Sequence, residues 1–262
     1  MHDLVPSARK RAIAVRLTDG HAVVAAELAA EFGVSEDAIR RDLRMLAAEG
    51  VCTRVYGGAL PLAQPARATP LAQRLDQAQT RKDALARAAA ATIRPGEFIF
   101  LDNGSTNLAL VPHLPADPAL TVATNSVDIA AAVARRGGLR LIVLGGAVDL
   151  AVGGCVDAAA VTALRRLNID RGFVGACAVD PAAGLSAFDA GDAVLKGALV
   201  DASYETVAMV TNEKLGTRAP FRFASAGRLS LLVVEHDAPP EVCVALGQAG
   251  ATLQVAAASV SP

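Results

Sequence analysis

Cysteine and histidine are scarce in this 262-residue chain, which has four of each. The cysteines, at positions 52, 155, 177 and 243, show no C-x-x-C spacing, and the histidines, at positions 2, 21, 113 and 236, are isolated. Zinc sites and disulfide frameworks depend on recurrent, closely spaced ligands. We therefore interpret all eight as structural or surface residues and predict no metal, no disulfide framework and no cofactor.

Long apolar runs are also absent. No stretch of about 18 or more apolar residues occurs, so we expect no membrane-spanning helix and no membrane partner. The first residues, MHDLVPSARKRA, have no apolar core long enough for a secretory signal peptide. These two absences predict a cytoplasmic protein.

The chain lacks a strong charge of either sign. Its formal net charge is −1, and residues 1–60 contain eight Lys/Arg against eight Asp/Glu. Binding to nucleic acid would therefore require the basic side chains to gather on one face. It would also favour a homo-oligomer, a dimer or tetramer, because each added copy multiplies the phosphate contacts.

The segment SEDAIRRDLRMLAAEG, residues 35–50, predicts a short helix. Ser35 is a good N-cap, Asp37 lies in the first turn where negative charge is favoured, and Gly50 is a left-handed stop. At helical spacing one face is apolar and is formed by Ile39, Leu43 and Leu46. The other faces carry Arg40, Arg41 and Arg44. Taken alone, this helix could simply be a solvated surface whose arginines are partly neutralised by Asp42 and Glu49.

The neighbouring segments indicate a nucleic-acid-binding domain. Residues 7–17 predict a helix, residues 21–32 a short apolar run and a second helix, and Gly33-Val34 a tight turn before the arginine-bearing helix. That order is the helix-turn-helix arrangement, whose last helix enters the major groove of DNA. Residues 51–60, VCTRVYGGAL, then predict a small hairpin, or wing, from which Arg54 could reach a phosphate.

The combination EFGVSEDAIRRDLRMLAAEG and RVYGGAL resembles the DNA-binding domain of the DeoR family of bacterial transcriptional regulators. One departure is Ala38, where the family usually has threonine. The resemblance implies a winged helix-turn-helix that binds a double-stranded DNA operator. The candidate DNA-contacting residues are Ser35, Asp37, Arg40, Arg41, Arg44, Arg54 and Tyr56.

Residues 61–80 contain three prolines and no clear period, so we predict a linker there. The predicted domains are then a winged helix-turn-helix over residues 1–60, which is mainly α-helical, and a second domain over residues 81–262. The second domain is predicted to bind an effector and to mediate oligomerisation.

From residue 81 onward, continuous apolar strands alternate with helices, which predicts a parallel sheet covered on both faces. The expected strands are 97–102, 120–125, 139–146, 172–179, 206–211 and 229–235. Helices are expected over 81–93, from Ser105 through His113, over 126–136, 157–167 and 190–203. The predicted fold class is therefore a mainly α winged helix-turn-helix followed by an α/β parallel-sheet domain.

Ligands of such sheets bind beyond the carboxyl ends of the strands, and small polar residues follow four of the strands here. Glycine lets backbone N–H groups approach an anion, a helix beginning at Ser105 would attract it, and Lys214 adds a positive charge. The candidate effector-binding residues are Asp102, Gly104, Ser105, Thr106, Thr124, Asn125, Ser126, Gly145, Gly146 and Lys214. Strand-to-helix loops also need glycines and N-caps for structural reasons, which is the alternative for any single loop.

These motifs, DNGST, TNS, LGG, GLS and the lysine before Leu215-Gly216, resemble the effector domain of DeoR-type regulators in order and spacing. Asn212 stands where an aspartate is frequent in the family. The resemblance implies a repressor of sugar or carbohydrate metabolism genes that responds to a phosphorylated sugar or a related metabolite. It also implies a domain that shares its fold with ribose-phosphate isomerase.

An isomerase is the alternative function. The isomerase carries its carboxylates in a G-A-D-E-V-D segment, and the similar stretch here, residues 175–180, has Cys177 and Ala178 at the central positions. Aldose isomerisation needs a positioned base. Asp102 and Asp189 could substitute in principle, but the sequence does not place them. We therefore predict no catalytic residue. A bare sugar-phosphate binding protein would leave residues 1–60 unexplained.

Overall fold

The computed structural model describes residues 6–18, 23–49, 51–55, 57–61, 71–75 and 77–258. The chain divides into two compact units, Met1–Gln64 and Pro65–Pro262. The segment predicted as a linker, residues 61–80, falls across this division. Each unit has its own apolar core.

The first unit combines helices with a small antiparallel sheet of strand order β1-β3-β2. Its core includes Ile13 and Leu17 from the first helix, Leu28 from the second, and the apolar stripe of the third. Its elements are α1 (Pro6–Thr18), β1 (Val23–Val24), α2 (Ala25–Phe32), α3 (Glu36–Ala48), β2 (Cys52–Val55) and β3 (Gly58–Pro61).

Local chemistry explains the turn between α2 and α3. Gly33 adopts a left-handed φ of 65° that ends α2, and the Val34 N–H donates to the Ala29 carbonyl. Ser35 then caps α3, accepting from the Ala38 N–H at 3.3 Å. The predicted helix-turn-helix and wing are therefore confirmed as backbone structure. The predicted stop at Gly50 lies outside the described residues.

The second unit is built on a seven-stranded sheet of order β15-β14-β12-β9-β4-β5-β6, in which every neighbouring pair is parallel. Its elements are α4 (Leu71–Leu75), α5 (Gln79–Ala90), β4 (Phe98–Leu101), α6 (Ser105–Leu108), β5 (Thr121–Thr124), α7 (Val127–Arg136), β6 (Arg140–Val143), β7 (Val148–Asp149), β8 (Gly154–Cys155), α8 (Ala158–Leu164), β9 (Ile169–Val174), β10 (Ala178–Asp180), β11 (Gly184–Ala187), α9 (Ala190–Ala202), β12 (Ser203–Val210), β13 (Phe221–Ala224), β14 (Leu231–Val234), α10 (Pro240–Gln248) and β15 (Leu253–Val255).

Alternate residues of the central strands enter two separate apolar clusters, one on each face of the sheet. Phe100 belongs to the cluster with α8, α9 and α10, whereas its neighbours Ile99 and Leu101 belong to the cluster with α5 and α7. This arrangement confirms the predicted parallel sheet covered on both faces. Because the strands run in one direction, their carboxyl ends meet at one edge of the sheet.

Several of the predicted elements were wrong in extent; the expected strand over 139–146, for example, is β6 and ends at Val143. The expected strand over 172–179 is interrupted at Gly175, whose N–H donates to Asp102 at 2.8 Å, and β10 belongs to a separate antiparallel sheet of order β10-β11-β13. The expected helix from Ser105 through His113 ends at Leu108, and a short 3-10 helix covers Val111–His113. Pro112 has no N–H to continue an α-helical ladder at that point.

Several elements were not predicted from the sequence: the β7-β8 hairpin, the three-stranded antiparallel sheet, α10 and β15. The helix α4 lies inside the segment predicted as a linker. Its Leu71 is buried, and the Leu71 N–H donates to the Ala151 carbonyl at 3.3 Å. This contact fixes α4 on the second unit, where it contributes a side chain to the site described next.

Candidate functional site

The helix α3 separates its side chains into an apolar and a basic set, as the spacing predicts. Ile39, Leu43 and Leu46 are at most 2% exposed. The three arginines of the helix are all exposed: Arg40, Arg41 and Arg44. The arginines therefore contribute nothing to the core of this unit and are available to a partner.

Asp42 of α3 and Glu49, the C-cap of α3, are both paired with another helix. Asp42 is buried and binds Arg9 of α1 at 2.7 Å, and Glu49 pairs with Lys10. The expectation that Asp42 and Glu49 neutralise the arginines of α3 was therefore wrong, because both acids turn toward α1. This pairing leaves the opposite face of α3 basic, although the unit as a whole has little net charge.

The remaining candidates of the first unit have distinct environments. Arg40 pairs with Glu36 at 2.7 Å and lies 3.7 Å from Asp37, whereas Arg41 and Arg44 make no ion pair with any described residue. Arg54 on β2 is exposed. Ser35 is exposed and serves as the helix cap. Tyr56 lies outside the described residues.

In the second unit, a cavity of about 410 Å³ opens at the carboxyl ends of β4, β9 and β12. This size is within the range of small-molecule sites, roughly 300–1,000 Å³. The lining residues are Arg74, Gln77, Ala78, Lys82, Asn103, Gly104, Ser105, Thr106, Asn107, Ala151, Val152, Gly175, Ala176, Cys177, Phe188, Asp189, Asp192, Lys196, Met209, Glu213 and Lys214.

Four of the predicted effector residues line this cavity: Gly104, Ser105, Thr106 and Lys214. Gly104 has a φ of 144°, which a side-chain-bearing residue rarely adopts, so the loop backbone depends on glycine there. The Thr106 side chain is buried, and its hydroxyl has no hydrogen-bond partner among the described residues. Because α6 has only four residues, the predicted attraction of an anion by a helix terminus is weak, and side chains must supply most of the binding.

Four further candidates are buried and do not line the cavity, and three of them fix the loop after β4. Asp102 is fully buried, and Asn125 donates to the Asn103 side-chain oxygen at 3.0 Å while accepting from the Asn103 N–H at 3.2 Å. The Thr124 hydroxyl donates to the Leu101 carbonyl at 2.6 Å. Ser126 caps α7, which corresponds to the structural alternative stated for this loop.

The last two candidates, Gly145 and Gly146, are exposed and are not among the residues that line the cavity. Gly146 has a φ of 152°, and a side chain there would approach the Asp157 carboxylate to 2.6 Å. Its close neighbour, the Ala147 N–H, donates to the same carboxylate at 2.8 Å. The geometry thus gives this glycine a packing reason and does not bring it to the other candidates.

Cations from three elements converge on the cavity. Arg74 comes from α4, Lys82 from α5 and Lys214 from the turn after β12. Neither Arg74 nor Lys214 forms an ion pair with a described residue, and the Arg74 Nε is buried without a hydrogen-bond partner in that part of the chain. Burial lowers the pKa of Lys214; the neighbouring Cys177 and Glu213 oppose this shift, and the positive charges of Arg74 and Lys196 add to it. An anionic ligand would relieve this repulsion and would favour the charged ammonium.

A buried group of three charges lies beside these cations. Lys196 of α9 is 2% exposed and donates to Asp102 at 2.7 Å and to Asp192 at 2.6 Å. Burial raises the pKa of Asp102 to about 6, with Lys196 opposing and Asp192 adding to the rise. The pKa of Lys196 is raised well above its ordinary value, because two carboxylates outweigh its own burial. Lys196 therefore stays an ammonium.

Sequence reasoning missed several lining residues: Arg74, Lys82, Asp192 and Lys196. A signal existed for the last two, since Asp192 and Lys196 are four residues apart on one helix and can form an ion pair. A lysine on a helix is usually solvated, whereas Lys196 is 2% exposed. No local pattern identified Arg74 or Lys82, because their position depends on how α4 and α5 pack on the sheet.

The region similar to the isomerase segment is divided between two environments. Cys177 lines the cavity, whereas Ala178 is buried in β10 and Asp180 accepts from the Ala182 and Ala183 N–H groups in the following turn. Asp189 lines the cavity and caps α9 through the Asp192 N–H at 2.8 Å. Within the described ranges, no group of three or more His, Cys, Asp or Glu side chains is arranged to hold a metal ion.

A helix-turn-helix with an exposed basic face, followed by an α/β domain with a cation-lined cavity, defines a ligand-sensing transcriptional regulator. Comparisons with known proteins agree with this class. Residues 9–64 match the model of the DeoR-like helix-turn-helix domain, and residues 77–236 match that of the DeoR C terminal sensor domain. The chain belongs to the DeoR family of transcriptional regulators.

Two relatives illustrate the extent of the similarity. The chain is 30% identical to the uncharacterized HTH-type transcriptional regulator YgbI of Escherichia coli (strain K12), over 97% of this chain and 99% of that protein. It is also 30% identical to the glycerol-3-phosphate regulon repressor of the same organism, over 83% of this chain and 85% of that protein.

Among solved structures, the chain is similar to ribose 5-phosphate isomerase A from Neisseria gonorrhoeae, with 16% identity and a TM-score of 0.40 over 53% of this chain and 55% of that chain. A likeness of this size carries no functional argument. In the described part of the chain, none of the helices has the length and apolarity needed to cross a bilayer.

Proposed function

We propose that this regulator is a repressor of sugar or carbohydrate metabolism genes and that a phosphorylated sugar or related metabolite, bound in the cavity, controls its affinity for an operator. The observation that carries the proposal is the convergence of Arg74, Lys82 and Lys214 on a cavity that also contains the unpartnered Thr106 hydroxyl. Two of these cations have no carboxylate partner within the described residues, which suits a phosphate dianion.

The DNA-binding part of the proposal rests on α3. Its exposed arginines lie on the helix that enters the major groove in helix-turn-helix proteins, where arginine contacts guanine edges or phosphates. The limited net charge of residues 1–60 favours a homo-oligomer, a dimer or tetramer, that doubles or quadruples the phosphate contacts. We propose residues 1–60 as the DNA-binding division and residues 81–262, together with α4 from the segment 61–80, as the effector-binding division. Such a regulator works where the DNA is, in the cytoplasm.

The cavity is proposed to sense rather than to catalyse. Isomerisation needs a base beside the reacting carbons. Each carboxylate that lines the cavity already makes a contact within the protein: Asp189 caps α9, Asp192 pairs with Lys196, and Glu213 accepts from the Thr211 hydroxyl. Cys177 and Ala178 supply no carboxylate at the positions similar to the isomerase segment.

A thermal-shift screen tests the nature of the effector. Each sugar phosphate is compared with the same sugar without phosphate and with inorganic phosphate alone. Ligand that binds only the folded state stabilises it by about 2.7 kcal/mol at a hundred times its Kd, so a phosphorylated sugar should raise Tm by several degrees. Equal shifts by the unphosphorylated sugars would contradict the proposed role of the cations. The absence of any shift with phosphorylated compounds would contradict an effector site of this kind.

A further inference from the structure

The cavity is lined by anionic as well as cationic side chains. The cations come from α4, α5 and the turn after β12, whereas the carboxylates are Glu213 from that same turn, Asp192 of α9, and Asp189, the N-cap of α9. A phosphate accounts for the cations alone. The carboxylates of α9 indicate what kind of group the rest of the ligand carries.

Asp192 has unused hydrogen-bonding capacity. It is 3% exposed, and its Oδ1 accepts from Lys196 at 2.6 Å. Its Oδ2 makes no hydrogen bond with any residue of the described ranges. Lys196 is shared with Asp102, so one ammonium faces two carboxylates, and the group of three keeps an excess of negative charge.

A second, independent observation points to a ligand at this place. The Thr106 hydroxyl is in the same cavity, its residue is 6% exposed, and it has no partner among the described residues. Buried hydroxyls are normally satisfied. Phe188, Val152 and Met209 also line the cavity and provide apolar contacts for a carbon chain.

We infer that Asp192 selects ligands whose non-phosphate end is a neutral chain of hydroxyl-bearing carbons and rejects ligands that carry a carboxylate there. The inference rests on the proposed function, because it assumes that the phosphate occupies the cationic part. A hydroxyl donates to the free Asp192 oxygen, which gives a charge-assisted hydrogen bond. A ligand carboxylate meets a like charge at low solvent exposure, which is strongly unfavourable.

Matched ligand pairs test the inference on the wild-type chain. Alditol phosphates of three to six carbons are each compared by calorimetry with the phosphoaldonate of the same length, which differs by a carboxylate in place of one terminal hydroxymethyl group. The alditol phosphate of the fitting length should bind about tenfold more tightly or better. Asp192→Asn should reduce this ratio, because the neutral amide both accepts from a hydroxyl and donates to a carboxylate.

Asp201→Asn is the control variant. It makes the same charge change on the same helix, but Asp201 pairs with Arg228 and does not line the cavity, so the ratio should stay at the wild-type value. Equal binding of both members of a pair by the wild type would overturn the inference and leave the proposed function standing. Because this comparison uses the wild type alone, it tests the inference even if Asp192→Asn does not fold. If no phosphorylated compound binds at all, the proposed function fails and the inference fails with it.

Discussion

At the scale of single residues, the candidate positions divide between a structural role and a ligand-directed role. Asp102 is one of the candidate effector-binding residues, yet it is fully buried and does not line the cavity. It accepts hydrogen bonds from the Gly175 N–H and the Lys196 ammonium. Lys214 has the opposite character: it lines the cavity, and no described carboxylate pairs with it. Substitution of a residue such as Lys214 should therefore weaken ligand binding without affecting folding.

Lys214→Ala should weaken binding of a phosphorylated sugar about 10- to 100-fold, which is the loss expected for a charged hydrogen bond. Lys214→Arg should also weaken binding, because a planar guanidinium does not replace a compact ammonium in a confined site. Calorimetry with the sugar phosphate found in the thermal-shift screen measures both effects. Arg218→Ala, four residues away and paired with Asp180 outside the cavity, is the control and should bind normally. Wild-type affinity in Lys214→Ala would show that Lys214 is only a surface lysine.

At the scale of secondary-structure elements, α3 acts through the way its charges are divided. Arg9 and Lys10 of α1 form ion pairs with Asp42 and Glu49, respectively. Arg41 and Arg44 are therefore left without ion partners among the described residues. A sequence count that balances acids against bases over residues 1–60 hides this segregation. The same element both completes the apolar core and presents a basic surface.

Arg44→Ala should weaken operator binding by about 1–3 kcal/mol if the side chain contacts a base, with relaxed sequence preference at that position. If Arg44 contacts a phosphate, the loss of affinity should be the same for all DNA sequences. The slope of log K against log salt concentration should then decrease in magnitude by about one. The thermal unfolding midpoint should be little changed because Arg44 is exposed.

Gel shifts at several salt concentrations distinguish the base contact from the phosphate contact. Arg87→Ala, an exposed and paired arginine of α5, is the matched control. Gel shifts of Arg44→Ala that match those of the wild type would contradict the proposed contact of Arg44 with DNA.

At the scale of the whole molecule, the sequence predicted the elements with strong periodicity and missed those set by tertiary packing. The continuous apolar runs of β4 and β5 and the periodic apolar stripe of α3 are local sequence patterns, and the structure confirms them. The Gly175 break was missed because it depends on a hydrogen bond to Asp102, 73 positions away in sequence. Arg74 was missed for a similar reason, since a short helix in a proline-rich segment has no pattern of its own.

The chain as a whole is proposed to couple two sites, one on α3 and one in the cavity. Coupling of this kind is reciprocal: a ligand that changes operator affinity by some factor must have its own affinity changed by the same factor when operator is bound. This requirement links operator binding by the first unit to ligand binding by the second, so the coupling can be measured from either side.

The most direct test is a fluorescence anisotropy titration of operator DNA, selected by the protein from a random pool, with and without saturating sugar phosphate. We predict that the ligand changes the operator Kd by roughly 5- to 150-fold, the usual range of allosteric coupling, and that Lys214→Ala binds the same operator but loses the change. An operator Kd that is identical with and without a ligand known to bind the wild-type chain would contradict the account.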